Sequence, residues 1–159
     1  MFVNYRMKLF VRIAGIVYFD TLFYIFFLAR RRPHPTLFLH KGPVNLVPLK
    51  NKLEEIGVYR IMTIAEKWNF NTDLFGNIAL FIPLPFFLAF IFNVQSFWKS
   101  ILVALAASTC VELIQYIFSI GVADIDDVIL NTCGAVTGFL LMKLLVRIFP
   151  GFAYPSGNE

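Results

Sequence analysis

The sequence predicts an all-α integral membrane protein, a bundle of about four transmembrane helices with a long loop between the first and the second. Of the 159 residues, 58% are hydrophobic and 15% are charged, whereas a soluble domain usually carries about 25% charged residues. The chain also contains 19 Phe, more aromatic surface than a small soluble core can bury. Four apolar stretches are each near the roughly 20 residues that a helix needs to cross the hydrocarbon layer.

The four stretches predict helices at residues 9–29, 74–94, 100–120 and 128–149. Backbone groups in lipid must satisfy their hydrogen bonds internally, and helices do so within one segment. The first stretch is too long for a signal peptide, contains Asp20 and ends at Arg30 without a small-residue cleavage pattern, so we expect it to be retained. We interpret residues 1–150 as one domain and residues 151–159 as a short disordered tail.

The predicted long loop, Arg30 to Asp73, divides into two parts. Its first part is rich in proline, which excludes a regular helix there, and His34 and His40 are expected to be solvated in it. From Leu49 to Trp68 apolar and charged residues alternate with helical periodicity. This pattern predicts an interfacial amphipathic helix, broken near Gly57.

Charge and cysteine usage narrow the possible partners. A net charge of +4 in so apolar a chain suits membrane lipids with anionic headgroups, and no basic patch interleaved with aromatic residues indicates nucleic-acid binding. Cys110 and Cys133 lie in apolar stretches without a second Cys or His at metal-ligand spacing. We therefore expect two buried free thiols and predict no metal site from them.

Polar residues recur at helical spacing on three of the four predicted helices, and they converge at one end of the bundle. In the third helix they repeat every three or four residues, as they do in the fourth, so each set lines one helical face. A carboxylate at membrane depth costs several kcal/mol unless it is paired or neutralised. The sequence therefore predicts an interfacial polar pocket containing Asn77, Glu112, Gln115, Asp124, Asp127 and Asn131.

Other polar and small residues of these helices have a packing interpretation. Ser108, Ser119 and the glycine pair Gly134 and Gly138 are typical of close helix contacts in membranes. Asp126 is one residue out of phase with the polar face, and we interpret it as solvated. Alternatively, Asp124 or Asp126 caps the fourth helix. Asp20 fits a hydrogen-bonded structural carboxyl and a functional group equally well.

Four motifs resemble those of the VanZ-like family, in the same order along the chain. They are Asn45-Leu46-Val47-Pro48 after the first helix, Gly76-Asn77 with Phe81-Ile82-Pro83 in the second, Glu112-Leu113-Ile114-Gln115 in the third, and Asp124-Ile125-Asp126-Asp127 with Asn131-Thr132-Cys133-Gly134 in the fourth. The resemblance covers residues 44–145 and adds Asn45 to the predicted pocket.

This chain departs from the family pattern in two places. Leu49 stands where the family often has Phe, and Gly121-Val122-Ala123 precedes the acidic motif where many members carry an Arg. If that Arg helps to hold an anion in the family, Lys41 or Arg60 could take its place here.

The resemblance implies a multi-pass protein of the bacterial cell membrane, because the family is named for a protein linked to low-level resistance to the glycopeptide antibiotic teicoplanin. It names no cofactor and no reaction. One hypothesis is a protein that binds or modulates a cell-envelope lipid or glycolipid headgroup through the polar pocket, with carboxylate and amide oxygens that would also suit Mg²⁺ or Ca²⁺.

Two further hypotheses remain open at this stage. One is a membrane-embedded enzyme that acts on a lipid-linked substrate with Glu112 or Asp127 as general acid or base. The other is a purely structural membrane protein. Basic residues are divided almost evenly between the two ends of the bundle, so the positive-inside rule does not decide the orientation. The acidic loop at residues 121–127 favours the outside, and we predict that both termini are cytoplasmic.

Overall fold

The computed structural model describes residues 5–29 and 44–149. Within these ranges, four helical stretches are long and apolar enough to cross a membrane: Met7–Ala29, Ile64–Phe92, Phe97–Phe118 and Ile125–Ile148. The predicted fold class, an all-α membrane bundle of about four spanning helices, is confirmed. The expectations for His34, His40 and Lys41, for the proline-rich part of the loop and for the tail concern residues outside the described ranges.

The first, third and fourth spanning helices lie close to their predicted limits. The first is α1, Tyr5–Phe23, which continues as a π-helical turn over Tyr24–Ala29. The third is α5, Phe97–Phe118, which ends where Ser119 adopts a left-handed backbone conformation, φ 52°. The fourth is α6, Ile125–Ile148.

The second spanning helix starts ten residues before the predicted boundary at residue 74, so the predicted loop up to Asp73 is too long. Its first part is α3, Ile64–Phe81, and its second part is α4, Leu84–Phe92, after a turn at Ile82 and Pro83. The start is fixed by a capping box: Glu66 N donates to Thr63 Oγ1 (3.3 Å), while Thr63 N donates to Glu66 Oε2 (2.7 Å). These reciprocal bonds satisfy two otherwise unpaired N–H groups. The helix therefore begins within polar sequence, and the hydropathy change at residue 74 lies inside it.

The predicted amphipathic helix is shorter than expected, and its α-helical part ends one residue after Gly57, near the expected break. It consists of α2, Lys50–Val58, followed by a 3-10 turn over Tyr59–Ile61. Gly57 lies inside α2, and the non-helical residues Met62 and Thr63 come just ahead of α3.

Two short strands join distant parts of the chain at one end of the bundle. Strand β1, Val44–Asn45, precedes α2, and strand β2, Ala123–Asp124, lies between α5 and α6. They pair in parallel, with Val44 opposite Ala123 and Asn45 opposite Asp124. This pairing brings the Asn45 motif to the start of α6.

Helix α6 is the centre of the bundle and packs against α3, α4 and α5. A Cβ on Gly134 or Gly138 would overlap the backbone carbonyl group of Ile78 or Ile82, so the two glycines let α6 approach the second spanning helix backbone to backbone. The adjacent core is apolar and includes Phe26, Phe81, Leu84, Leu88, Ala104 and Ala135.

The outer surface of the bundle is also apolar, as expected for a surface that faces lipid. Cys110 and Cys133 are free thiols on this exposed surface, so the prediction that they are buried is wrong. Apolar neighbours in the sequence do not show whether a cysteine faces lipid or the protein interior, because both environments are apolar.

Candidate functional site

The first group of predicted site residues meets at the start of α6. Asn45 Nδ2 donates to Asp124 Oδ1 (2.8 Å), and the backbone N–H of Asp124 donates to Glu112 Oε2 (2.8 Å). Asp124 Oδ1 also accepts from Asp126 N (2.8 Å), which makes Asp124 the N-cap of α6. One acidic residue therefore ties together β1, the end of α5 and the start of α6.

A second pair joins α3 to α6. Asn77 Nδ2 donates to Asp127 Oδ1 at 2.6 Å, and both side chains are buried. The bond is charge-assisted when Asp127 is ionised, which makes it stronger than a bond between neutral groups. Asp127 lies one helical turn before Asn131 and two turns before Gly134, which contacts Ile78. The close packing of α6 on α3 therefore also sets the distance between Asn77 and Asp127.

The other two predicted residues bond elsewhere. Gln115 Nε2 donates to the carbonyl oxygen of Phe26 (3.0 Å), which fastens α5 to the end of the first spanning helix. Asn131 Nδ2 donates to Ser108 Oγ (2.8 Å) inside the bundle. Ser108 and Asn131 are fully buried, so this bond belongs to the α5–α6 contact and lies deeper than the acidic groups.

A polar cavity of about 450 Å³ opens beside these residues. Three of the predicted residues, Gln115, Asp124 and Asp127, contribute to its wall. Among the residues that the structure describes, the lining is Ala29, Asn51, Lys52, Glu55, Asp73, Gln115, Gly121, Val122, Asp124 and Asp127. The ionisable groups of this described lining are four carboxylates and one ammonium.

An apolar groove of about 500 Å³ adjoins the polar cavity. Its lining is Val44, Leu46, Thr109, Glu112, Leu113, Tyr116, Ala123, Asp124, Ile125 and Val128. The two spaces therefore share Asp124 as a wall residue and differ in polarity.

Lys52 is the basic residue among the lining residues that the sequence analysis did not assign to the pocket. Its Nζ lies 2.6 Å from Asp73 Oδ2 and 3.6 Å from Glu55 Oε2, and the side chain is buried. Burial lowers the pKa of Lys52, but the hydrogen bond to Asp73 and the charges of Asp73, Glu55 and Asp127 outweigh it, and its pKa is raised overall. Arg60, proposed for a similar role, is exposed.

Asp126 is the second residue whose position the sequence analysis misjudged. It is fully buried, and its Oδ1 accepts the backbone N–H of Leu49 at 2.5 Å. The expectation that it is solvated is wrong, because residues ahead of α2 cover the first turn of α6.

Asp20 is exposed on α1. Among the described residues, no group of three or more His, Cys, Asp and Glu side chains is arranged to hold a metal ion.

Comparison with known proteins gives two matches and one negative result. A family model described as VanZ/LLP1 matches residues 14–147. Protein VanZ of Enterococcus faecium is 40% identical over 72 residues, which amount to 45% of this chain and 43% of that protein. The chain thus aligns with less than half of that relative, and no solved structure matches.

Proposed function

This chain belongs to the VanZ/LLP1 family, and we propose that it is a multi-pass membrane protein that binds a cell-envelope lipid or glycolipid. The headgroup would occupy the polar cavity and an acyl chain would occupy the apolar groove. The observation that carries this proposal is the junction of the two spaces at Asp124. Binding of an envelope lipid would link the protein to sensitivity toward glycopeptide antibiotics.

The charges of the polar cavity favour a headgroup rich in hydroxyl groups, as in a glycolipid. Ionised carboxylates accept hydrogen bonds and donate none, whereas sugar hydroxyls are donors. The ammonium of Lys52 is already paired with Asp73 and Glu55, so the net negative charge of the described part of the walls would repel a bare phosphate.

The apolar groove supplies the complementary part of the affinity. Six of its residues, Val44, Leu46, Leu113, Ala123, Ile125 and Val128, have aliphatic side chains. Each methylene group that leaves water for such a surface contributes about 0.8 kcal/mol. An acyl chain that moves into the groove from the bilayer contributes less binding free energy, because it exchanges one apolar environment for another.

An enzyme acting on a lipid-linked substrate is the alternative function. The observation that favours it is the position of Asp127 in the cavity wall, with its Oδ1 held by Asn77. A carboxyl group oriented in this way beside a substrate is the arrangement that general acid or base catalysis requires. Turnover of a lipid substrate by the purified protein would support this alternative over simple binding.

Native mass spectrometry of the detergent-purified protein would test the binding proposal. A glycosyl diacylglycerol and phosphatidylglycerol would be titrated in parallel, and we expect the glycolipid adduct to dominate. Asp127→Asn should weaken the adduct, because it removes a cavity carboxylate and alters the Asn77 pair. Cys133→Ala, on the exposed side of the same helix, is the matched control. Equal adducts with both lipids and all three proteins would contradict the proposal.

The same variants would test the link to antibiotics in cells. We expect Asp127→Asn and Glu112→Gln to lose any glycopeptide tolerance that the wild-type chain confers, at equal membrane expression. Full tolerance with normal expression would mean that these polar residues serve only helix packing.

We further propose that the protein lies in the bacterial cell membrane with both termini in the cytoplasm. Pairing of β1 with β2 places the end that carries the cavity opposite the short connection between α4 and α5. In a background without native cysteines, an impermeant thiol reagent added to intact cells should label Leu46→Cys and spare Lys99→Cys. The reverse pattern would contradict this orientation.

A further inference from the structure

One short piece of chain forms a wall of both spaces of the candidate lipid site. We call residues 44–55 the bridging segment; it comprises β1, the following turn and the first six residues of α2. Val44 and Leu46 line the apolar groove, whereas Asn51, Lys52 and Glu55 line the polar cavity. The position of this segment therefore determines the shape of the whole site.

The bridging segment is strained at its middle. Leu49 has φ 59° and ψ 0°, a left-handed conformation that is unfavourable for a residue other than glycine. Leu49 is also the N-cap of α2, and its own side chain makes no capping hydrogen bond. Such a conformation persists only where the surrounding structure holds it.

The group that holds Leu49 comes from α6. Asp126 Oδ1 accepts the Leu49 N–H at 2.5 Å, and a carboxylate at this position also suits the positive end of the α2 dipole. The other oxygen of Asp126, Oδ2, is buried and has no hydrogen-bond partner among the described residues. An unpartnered buried oxygen is costly, so the stabilising contribution of this side chain comes from Oδ1.

We propose that Asp126 is a positioning residue of the candidate site: by holding the Leu49 amide it fixes the start of α2 and thereby places Lys52 in the polar cavity. Lys52 follows Leu49 by three residues, and its ammonium reaches Asp73 on α3. The identity of the cavity as a lipid site rests on the proposed function, whereas the contact between Asp126 and α2 can be tested without a lipid.

Distance measurement by pulsed electron spin resonance would test the contact directly. Spin labels at Leu53→Cys and Trp98→Cys, both exposed positions, would be placed in a background of Cys110→Ala and Cys133→Ala. Trp98 is at the far end of α5, which at 22 residues is about 33 Å long. We expect one narrow distance distribution for the wild-type segment and a broad distribution for Asp126→Ala.

Two variants and one measurement separate positioning from a general loss of structure. Asp126→Asn should restore the narrow distribution, because its amide oxygen can accept the same N–H. Leu49→Gly should keep it, since glycine adopts positive φ at no steric cost and retains the N–H. If Asp126→Ala does not accumulate, hydrogen exchange of the Leu49 amide in the wild-type protein provides the test.

The outcomes distinguish this inference from the proposed function. A narrow distribution in Asp126→Ala, a broad one in Asp126→Asn, or a Leu49 amide that exchanges as fast as an exposed loop amide would each overturn the positioning role. Glycosyl diacylglycerol adducts, measured on the same proteins, should decrease in Asp126→Ala and recover in Asp126→Asn. If the wild-type protein binds no lipid but the distance results hold, only the proposed function fails.

Discussion

Replacement of Gly138 by alanine should separate α6 from the second spanning helix. The added Cβ would overlap the carbonyl oxygen of Ile82 and would lie 2.8 Å from the carbonyl carbon, where ordinary contact begins at 3.4 Å, so the helices must withdraw by more than the roughly 0.6 Å that the carbon alone requires. A gap of this size forfeits a quarter or more of each nearby dispersion contact. Overpacking of this kind costs about 1–3 kcal/mol, and we expect Gly138→Ala to lose that much free energy of unfolding.

Reversible unfolding in mixed micelles, followed by circular dichroism, would measure this loss. The matched control is Gly76→Ala on α3, where nothing lies within 4 Å of the added Cβ. Alanine there should stabilise the helix by about 0.5–1 kcal/mol, because it restricts the unfolded chain more than glycine does. If Gly138→Ala were as stable as Gly76→Ala, the inferred backbone contact between α6 and Ile82 would be wrong.

Three other predictions concern single contacts. Thr63→Ala should lower the free energy of unfolding by about 0.5–2 kcal/mol, measured in the same micelles, because it removes the N-cap of α3. Ser108→Ala should cost only about 0.6 kcal/mol in that assay, the average for a membrane hydrogen bond; a loss of several kcal/mol would show that its bond to Asn131 is more than helix packing. The raised pKa of Lys52 means that its pairing with Asp73 stabilises α2 docking below the ordinary lysine pKa of about 10.4 and is lost as the pH rises through the folded-state value. The distribution of spin-label distances to α2 should therefore stay narrow from neutral pH up to the ordinary lysine pKa and broaden only above it in the wild-type protein, whereas Lys52→Met should show no such step.

The sequence predicts the spanning helices well because their signal is local. Each needs about 20 apolar residues, and the bilayer imposes that length whatever the neighbouring helices are. Hydropathy does not predict the start of α3, because Thr63 and Glu66 fix it through a capping box within charged sequence. Hydropathy reports where a helix enters lipid, whereas capping reports where the helix begins.

The candidate site also contains residues that local spacing predicts and residues whose positions depend on contacts between distant parts of the chain. Spacing of three and four residues predicts that Asp124 and Asp127 share one side of the fourth helix, and both residues line the polar cavity. The position of Asp126 depends instead on what covers the first turn of that helix. The cover is the backbone of Leu49, which is distant in sequence and held in a conformation that leucine rarely adopts. Lys52 was missed for a related reason: the amphipathic pattern of α2 assigns charged residues to water, and only the docked helix shows which of them is buried.

The central position of α6 has a consequence for how the protein is made. Helix α6 follows the other three described spanning helices along the chain, and 44% of its apolar window is buried in the bundle, compared with 11% for the first spanning helix. Until it inserts, the buried amide of Asn77 lacks Asp127 as its partner, and Ser108 lacks Asn131. Polar groups left in that state are costly in lipid. We therefore expect a nascent chain that stalls before α6 to be recognised and degraded by membrane quality control, which makes insertion of α6 the step that completes the contacts of this bundle.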